Sequence, residues 1–369
     1  MGRPTGRHRR RPGTDAAVTA TMQALRLHRV RTDDRPEELR VDEVARPSPG
    51  PTDVLVEVRA CGVCASDLHV LQGVTPHGPQ LPQILGHEPA GVVAEVGAEV
   101  SDWHPGDRVA ILMGRPCHVC PACLMGRENL CPSLSVPGID ADGAMAGYVL
   151  ADADVLVPIP LDVPFEQAAI TTDAVATPYH ALKRVGIGEN VTVAVYGLGG
   201  LGMHAILLAK LAGAQVIGVD LDPVNLERAL DWGADEVVDA SDGQPARRIR
   251  AMTGGGSDRA LEFVGSAAAV DQAVKSLAPG GRAAIVGFSP ERLATVPIAR
   301  FVAQETEVVG SFGSTPQDLG ELFDLLEDGR LDLSRSVTAT IALDGVHDAL
   351  RALETREGHP IRTVVTDLA

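Results

Sequence analysis

An α/β architecture is expected of this 369-residue chain, with a doubly wound parallel sheet joined to a β-rich domain. Two patterns carry the expectation. Residues 22–172 hold short β-type runs broken by Gly and Pro, among them DVLVEVRACGV (53–63), AGVVAEVG (90–97), DRVAIL (107–112) and DVLVPIP (154–160). That is the pattern of a barrel or sandwich. From residue 191 apolar strands alternate with helical segments, which calls for a parallel sheet covered on both faces. The length agrees with two or three domains of roughly 100–200 residues each.

In chain order, residues 1–13 carry five Arg and no acid. The following TDAAVTATMQALRL lacks the continuous apolar core of a signal peptide. Residues 1–21 are therefore expected to be a disordered extension, with a nucleic-acid-binding arm as the alternative. MQALRLHRV reads as the first strand, so the fold is expected to begin at Met22. No run reaches ~18 uninterrupted apolar residues, so no membrane span is expected, and a cytoplasmic location follows. Residues 22–174 form the β-rich domain and 175–311 the doubly wound one. In the latter, VTVAVYGLGGLGMHAILLAKLAGAQVIGVDLDP (191–223) reads as strand, Gly-rich turn, helix and strand. RALEFVG (259–265), AAVDQAVKSLAPGG (268–281), RAAIVGF (282–288) and TEVVGSFG (306–313) continue the alternation. Residues 312–369 open with the helix PQDLGELFDLLEDG and close with IRTVVTD. They are too short for an independent domain and are expected to pack back on the first.

Composition excludes several classes. Apolar residues at 45% leave too much core material for dominant disorder. The 39 Gly show no three-residue period, and 6 Cys are too few for a disulfide scaffold. A net charge of -17 repels phosphate backbones, so general nucleic-acid binding is not expected.

Gly197-Leu198-Gly199-Gly200-Leu201-Gly202 is a G-x-G-x-x-G turn between a strand and a helix. In that setting the first Gly permits the tight turn and the second admits a pyrophosphate. The third lets helix and strand pack closely, and the helix N-terminus favours the negative charge. This is the Rossmann fingerprint. Asp220, 18 residues past Gly202, ends the next strand. An acid there accepts hydrogen bonds from an adenosine ribose and repels a 2′-phosphate, so NAD is preferred over NADP. A strand-end solubiliser is the competing reading.

All six cysteines lie between Cys61 and Cys131. Cys117, Cys120, Cys123 and Cys131 form C-x2-C-x2-C-x7-C, four thiolates on one loop that suit a closed tetrahedral zinc. Without a secretion signal, metal is favoured over disulfides. Reduced cysteines and an iron–sulfur cluster remain rivals. Cys61-x2-Cys64 and Gly86-His87-Glu88 mark a second constellation. Cys64, His87 and an acid suit an open, substrate-polarising metal site. A redox pair wants its cysteines at a helix start, which the strand-like flanks do not supply.

CGVCASDLH (61–69), GHEPAGVV (86–93), the four-cysteine loop, DAVATPYHAL (173–182), GLGGLG (197–202) and IRTVV (361–365) together resemble the zinc-dependent medium-chain dehydrogenase/reductase family, alcohol dehydrogenase type. The match runs from Met22 to the end in family order. It implies a GroES-like catalytic domain and two zinc ions per chain. One is structural, on the four cysteines. The other is catalytic, on Cys64, His87 and Asp173, where many members have Cys. A carboxylate is a harder donor than thiolate and leaves the metal more Lewis acidic. Glu88 sits near that zinc, orienting it or transiently ligating it. The resemblance further implies that Ser66 accepts the substrate proton and His69 ends the relay. Thr177, Val264 and Val286 lie beside the cofactor, Arg362 pairs with its pyrophosphate, and Met113 and Phe288 line the substrate pocket with loop 70–83 at its mouth. Cys61 is packing.

The expected activity is NAD-dependent interconversion of a primary or secondary alcohol and its carbonyl by hydride transfer. A polyol or amino-alcohol dehydrogenase is the alternative within the family. A non-enzymatic zinc- or NADH-binding protein is the rival from another class, opposed by the intact relay. The expected partner is a small molecule. A homo-oligomer is also implied, tetramer before dimer.

Overall fold

The computed structural model describes residues 20–75, 78–112, 114–293 and 296–368. The expected disordered extension lies outside the described residues up to position 19. The first strand opens at Thr21, one residue before Met22, because Thr21 already pairs with Ala45.

Three sheets form among the described residues. The smallest runs Glu38–Ala45, Thr21–Arg29, Gln83–Ile84. The second is mixed and seven-stranded. Its path is Val337–Ala342, Arg362–Asp367, Asp53–Val63, Glu88–Val96, Arg108–Ile111, Leu156–Pro158, with Tyr148–Asp152 paired to Asp53–Val63. Val54, Leu55 and Val56 are buried in succession, so both faces of the central strand are covered. The last strand lies antiparallel to Asp53–Val63, pairing Val364 with Gly62 and Val365 with Cys61.

The third sheet has six strands, every neighbour parallel. Its spatial order is Glu236–Asp239, Gln215–Asp220, Thr192–Tyr196, Ser257–Glu262, Leu277–Ile285, Glu307–Gly310. Numbered along this sheet, that is 3-2-1-4-5-6. The order reverses between Thr192–Tyr196 and Ser257–Glu262, and a ligand crevice opens there at the carboxyl ends of the strands.

Two segments depart from the sequence reading. Cys64 is not followed by a strand-like flank: it caps the helix Ala65–Leu71, its N–H donating to Asp67 Oδ2 at 3.0 Å. A local side-chain acceptor three residues on overrides the β pattern that precedes it. Residues 165–185 form helix Phe165–Ile170, a π turn Thr171–Val175 and helix Ala176–Val185. A π turn inserts one residue into the ladder and commonly marks a functional position.

His204, on helix Gly200–Leu211, is fully buried, with Nε2 2.9 Å from Ser336 Oγ and the ring edge-on to Trp232. Burial, aided by the charge of Arg362, holds its pKa down at about 3. The unfolded chain binds this proton near pH 6.5 and the folded chain does not. Stability is therefore intact above about 6.5 and is lost as pH falls toward 3. Between pH 7 and pH 5 the wild-type chain is expected to lose about 2 kcal/mol more than His204→Gln. Urea midpoints at the two pH values measure this, and parallel losses in both proteins would refute it.

Candidate active site and metal centre

Cys64, His87, Glu88 and Asp173 come together in the interior, with one ligand atom of each within 4.8 Å of the others. The mixed sheet brings the first three together: Gly62 pairs with Glu88 and Cys61 with Pro89. Gly62 leaves room there: a Cβ would stand 2.0 Å from Glu88 Oε2 and displace that carboxylate. Asp173 arrives on the π turn. Its Oδ2 lies 3.4 Å from Cys64 Sγ and 3.8 Å from His87 Nε2. Thr177 Oγ1 donates to Asp173 Oδ1 at 2.6 Å and so turns the other oxygen toward the cluster.

Both ring nitrogens of buried His87 lack a hydrogen-bond partner, and its Nδ1 faces Asp67 Oδ1 at 3.4 Å. A proton on Nδ1 directed at Asp67 leaves Nε2 as a donor atom. A thiol, an imidazole nitrogen and a carboxylate, all buried, fit a zinc with one open position. Arg362, also buried, sends Nη2 to Glu88 Oε1 at 2.8 Å, with Cys64 Sγ at 3.4 Å and Asp173 Oδ2 at 3.5 Å. Burial raises the pKa of Asp173, but the His87 contact and the Arg362 charge outweigh it and hold the carboxyl well below its usual range. Burial pushes the Glu88 carboxyl up against the opposing charge of Arg362.

The four-cysteine loop is equally compact. Cys117, Cys120, Cys123 and Cys131 bring their sulfurs within 4.8 Å of one another, and all are free of disulfides. Cys120 and Cys123 sulfurs stand 3.5 Å apart, and the Cys117 N–H points at Cys131 Sγ at 3.3 Å. Backbone amides of Val119 and Cys120 lower the Cys117 thiol pKa, which favours the thiolate a metal needs. This set fits a closed tetrahedral zinc. Cys61 is fully buried and packs beside Gly86.

A cavity of about 780 Å³ joins the metal cluster to the Gly-rich turn. Cys64, Ser66, His69, Asp173 and Thr177 line one end, and Gly197–Gly202 and Asp220 the other. Ser66 is half-buried, its Oγ 3.7 Å from Cys64 Sγ. His69 is half-buried, its ring centroid 6.0 Å from that of Phe288. Val264, Val286 and Phe288 form a wall, and Val74 and Thr75 lie on the cavity from loop 70–83. Met113 lies outside the described residues.

The glycines divide their work. Gly197 has φ +86°, and a Cβ on Gly202 would stand 1.9 Å from its carbonyl oxygen. Gly199 has open space around it, and a Cβ on Gly200 would meet Ile361 O at 2.7 Å and Arg362 Nη1 at 3.0 Å. Arg362 thus lies between the Gly-rich turn and the metal cluster. Asp220 Oδ2 accepts the Leu198 N–H at 2.7 Å, while Oδ1 accepts those of Leu221 and Asp222. It fixes the turn, which the solubiliser reading did not include.

Asp67 and the Thr177–Asp173 contact were not read from the sequence. Asp67 had a signal: an acid three residues after the residue that starts a helix. Among the described residues no helix is long and apolar enough to cross a membrane.

Two family models match the chain: "Alcohol dehydrogenase GroES-like domain" over residues 50–161 and "Zinc-binding dehydrogenase" over 200–328. An alcohol dehydrogenase of Geobacillus stearothermophilus is 38% identical over 311 residues, 84% of this chain and 91% of that protein. The sorbitol dehydrogenase of Bacillus subtilis (strain 168) is 32% identical over 348 residues, 91% and 95%. A Sinorhizobium meliloti 1021 protein, described as a zinc-binding dehydrogenase and solved with NADP, superposes with a TM-score of 0.84. It has 32% identity and covers 94% of this chain and 99% of its own. A buried thiol–imidazole–carboxylate cluster facing a Rossmann turn, with these relatives over most of its length, makes this chain a member of the zinc-dependent medium-chain dehydrogenase/reductase family, alcohol dehydrogenase type.

Proposed function

We propose that the chain is an NAD(H)-dependent oxidoreductase that interconverts a primary or secondary alcohol and its aldehyde or ketone by hydride transfer. The carrying observation is that Cys64 and Asp173 of the cluster and the Gly-rich turn open onto one cavity. A zinc on those three residues would supply Lewis acidity, and a nicotinamide the hydride acceptor. The chain's own side chains do the rest. Ser66 Oγ takes the proton of the substrate hydroxyl while releasing its own toward His69, which passes a proton to water. Thr177 fixes the Asp173 rotamer, and Asp67 faces the His87 ring at 3.4 Å. Arg362 pairs with Glu88 beside the metal position and presents Nη1 toward the turn where a pyrophosphate would lie. Residues 22–174 with 312–369 act as the catalytic unit, and 175–311 as the cofactor unit.

Val136, Ile139, Phe288 and Phe312 on the cavity favour an uncharged, apolar alcohol. Likeness to the Bacillus subtilis sorbitol dehydrogenase supports a polyol as the second reading. Rates across simple secondary alcohols, polyols and aldehydes decide between them. A cytoplasmic homo-oligomer, tetramer before dimer, belongs to the same proposal.

Two zinc ions per chain are expected. Cys64→Ser is expected to leave one, to lower kcat by at least about 10³-fold, and to keep NADH binding. Retained turnover would sink the assignment. Cys120→Ser is expected to lose the other zinc and to lower the thermal midpoint, since that loop has little apolar content to hold it. The carboxylate of Asp220 beside the ribose position is expected to favour NAD over NADP by about tenfold or more in kcat/KM, a difference of about 1.4 kcal/mol. Equal use of both cofactors by the wild type would remove Asp220 from that role.

A further inference from the structure

Glu262 ends the strand Ser257–Glu262, at the point where the parallel sheet reverses its order. It is fully buried. Its side-chain Oε1 accepts the N–H groups of Val264 at 2.8 Å and Gly265 at 2.9 Å. Its main-chain carbonyl accepts those of Val286 at 2.9 Å and Gly287 at 3.0 Å. One residue therefore gathers four amides from the loops that leave two neighbouring strands.

Those loops touch through their backbones. A Cβ on Gly287 would stand 2.1 Å from the nitrogen of Gly265, which itself sits at φ +80°. What they carry faces the cavity: Val264, Val286 and Phe288 all line it. A Cβ on Gly197 would stand 2.7 Å from Val264 Cγ2, so the first loop lies directly against the Gly-rich turn.

A carboxyl group in this place is costly. Burial pushes its pKa up, the two amides oppose that, and no basic side chain offsets it among the described residues. Its Oε2 has no partner. An apolar side chain would avoid the penalty but leave both amides, the Gly265 one buried, without their acceptor. A carboxylate oxygen takes both at once, and this fixes the path of the Val264–Gly265 segment.

We propose that Glu262 is a positioning residue for the cofactor, setting the wall of Val264, Val286 and Phe288 against which the nicotinamide end docks. This rests on the reading of the cavity as the dinucleotide site. The second loop is held by the Glu262 main chain, so a side-chain variant perturbs the first loop and leaves the strand pairing in place.

The test is NADH binding by fluorescence titration on the zinc-loaded enzyme, with KM for NAD, kcat, zinc content and thermal midpoint. Glu262→Gln keeps an acceptor oxygen at the same reach and is expected to stay within twofold of wild type in Kd and KM. Glu262→Leu is expected to raise both at least tenfold with zinc content unchanged. Glu262→Asp, one methylene shorter, is expected to raise them severalfold and serves where the Leu variant does not fold. A folded Leu or Asp variant with cofactor Kd and KM within twofold of wild type overturns the proposal. So does a fall in thermal midpoint shared by all three variants with Kd unmoved. A wild-type chain that binds no NADH overturns the cavity reading itself, and the proposal with it.

Discussion

Strand Asp53–Val63 is the constraint on which the rest of the site depends. It pairs with Glu88–Val96, Tyr148–Asp152 and Arg362–Asp367, and it ends one residue before Cys64. Its register delivers Glu88 opposite Gly62, and Arg362 just beyond the pair of Thr363 with Val63. A slip of one residue would turn each of these side chains to the opposite face of the sheet. The cluster thus takes Cys64, His87 and Glu88 from the pairing of Asp53–Val63 with Glu88–Val96, and its balancing cation Arg362 from the pairing with the last strand.

That ladder also answers an electrostatic problem. Glu88, Asp173, His87 and Cys64 are all buried, and acids so placed are strongly disfavoured as anions. Arg362, arriving on the last strand, is within 3.5 Å of three of them. Removing one partner of such a group typically costs about 3–5 kcal/mol, because the remaining charge is left buried. The same guanidinium reaches the Gly-rich turn through Nη1. The Cys64–His87–Asp173 cluster and the Gly-rich turn are therefore linked through a single residue that is distant from both in the chain.

Much of this was legible in order along the chain. The G-x-G-x-x-G turn, the four-cysteine loop and the alternating strands and helices each rest on short-range spacing, which survives whatever the tertiary structure does. The tail's return, to the mixed sheet, was expected because residues 312–369 are too short to stand as a domain. Other features were not. Cys64 at a helix start came from one hydrogen bond to Asp67. Asp173 was expected in the cluster by resemblance, but no apolar period announces the π turn that carries it, nor its orientation by Thr177 one turn on. Asp220 was read as a ribose acceptor, but its three backbone amides show that it also shapes the turn.

Local chemistry thus declared the parts: thiols at ligand spacing, glycines where a phosphate must approach, an acid at a strand end. Those motifs are legible because their physics acts within a few residues. Their assembly is of another kind. Which carboxylate meets Cys64, which cation balances it, and which buried acid ties two loops at Glu262 depend on sheet register between segments some 300 residues apart in the case of Arg362 and Cys64. No local pattern encodes that distance, because pairing across a sheet is decided by the burial of both faces at once.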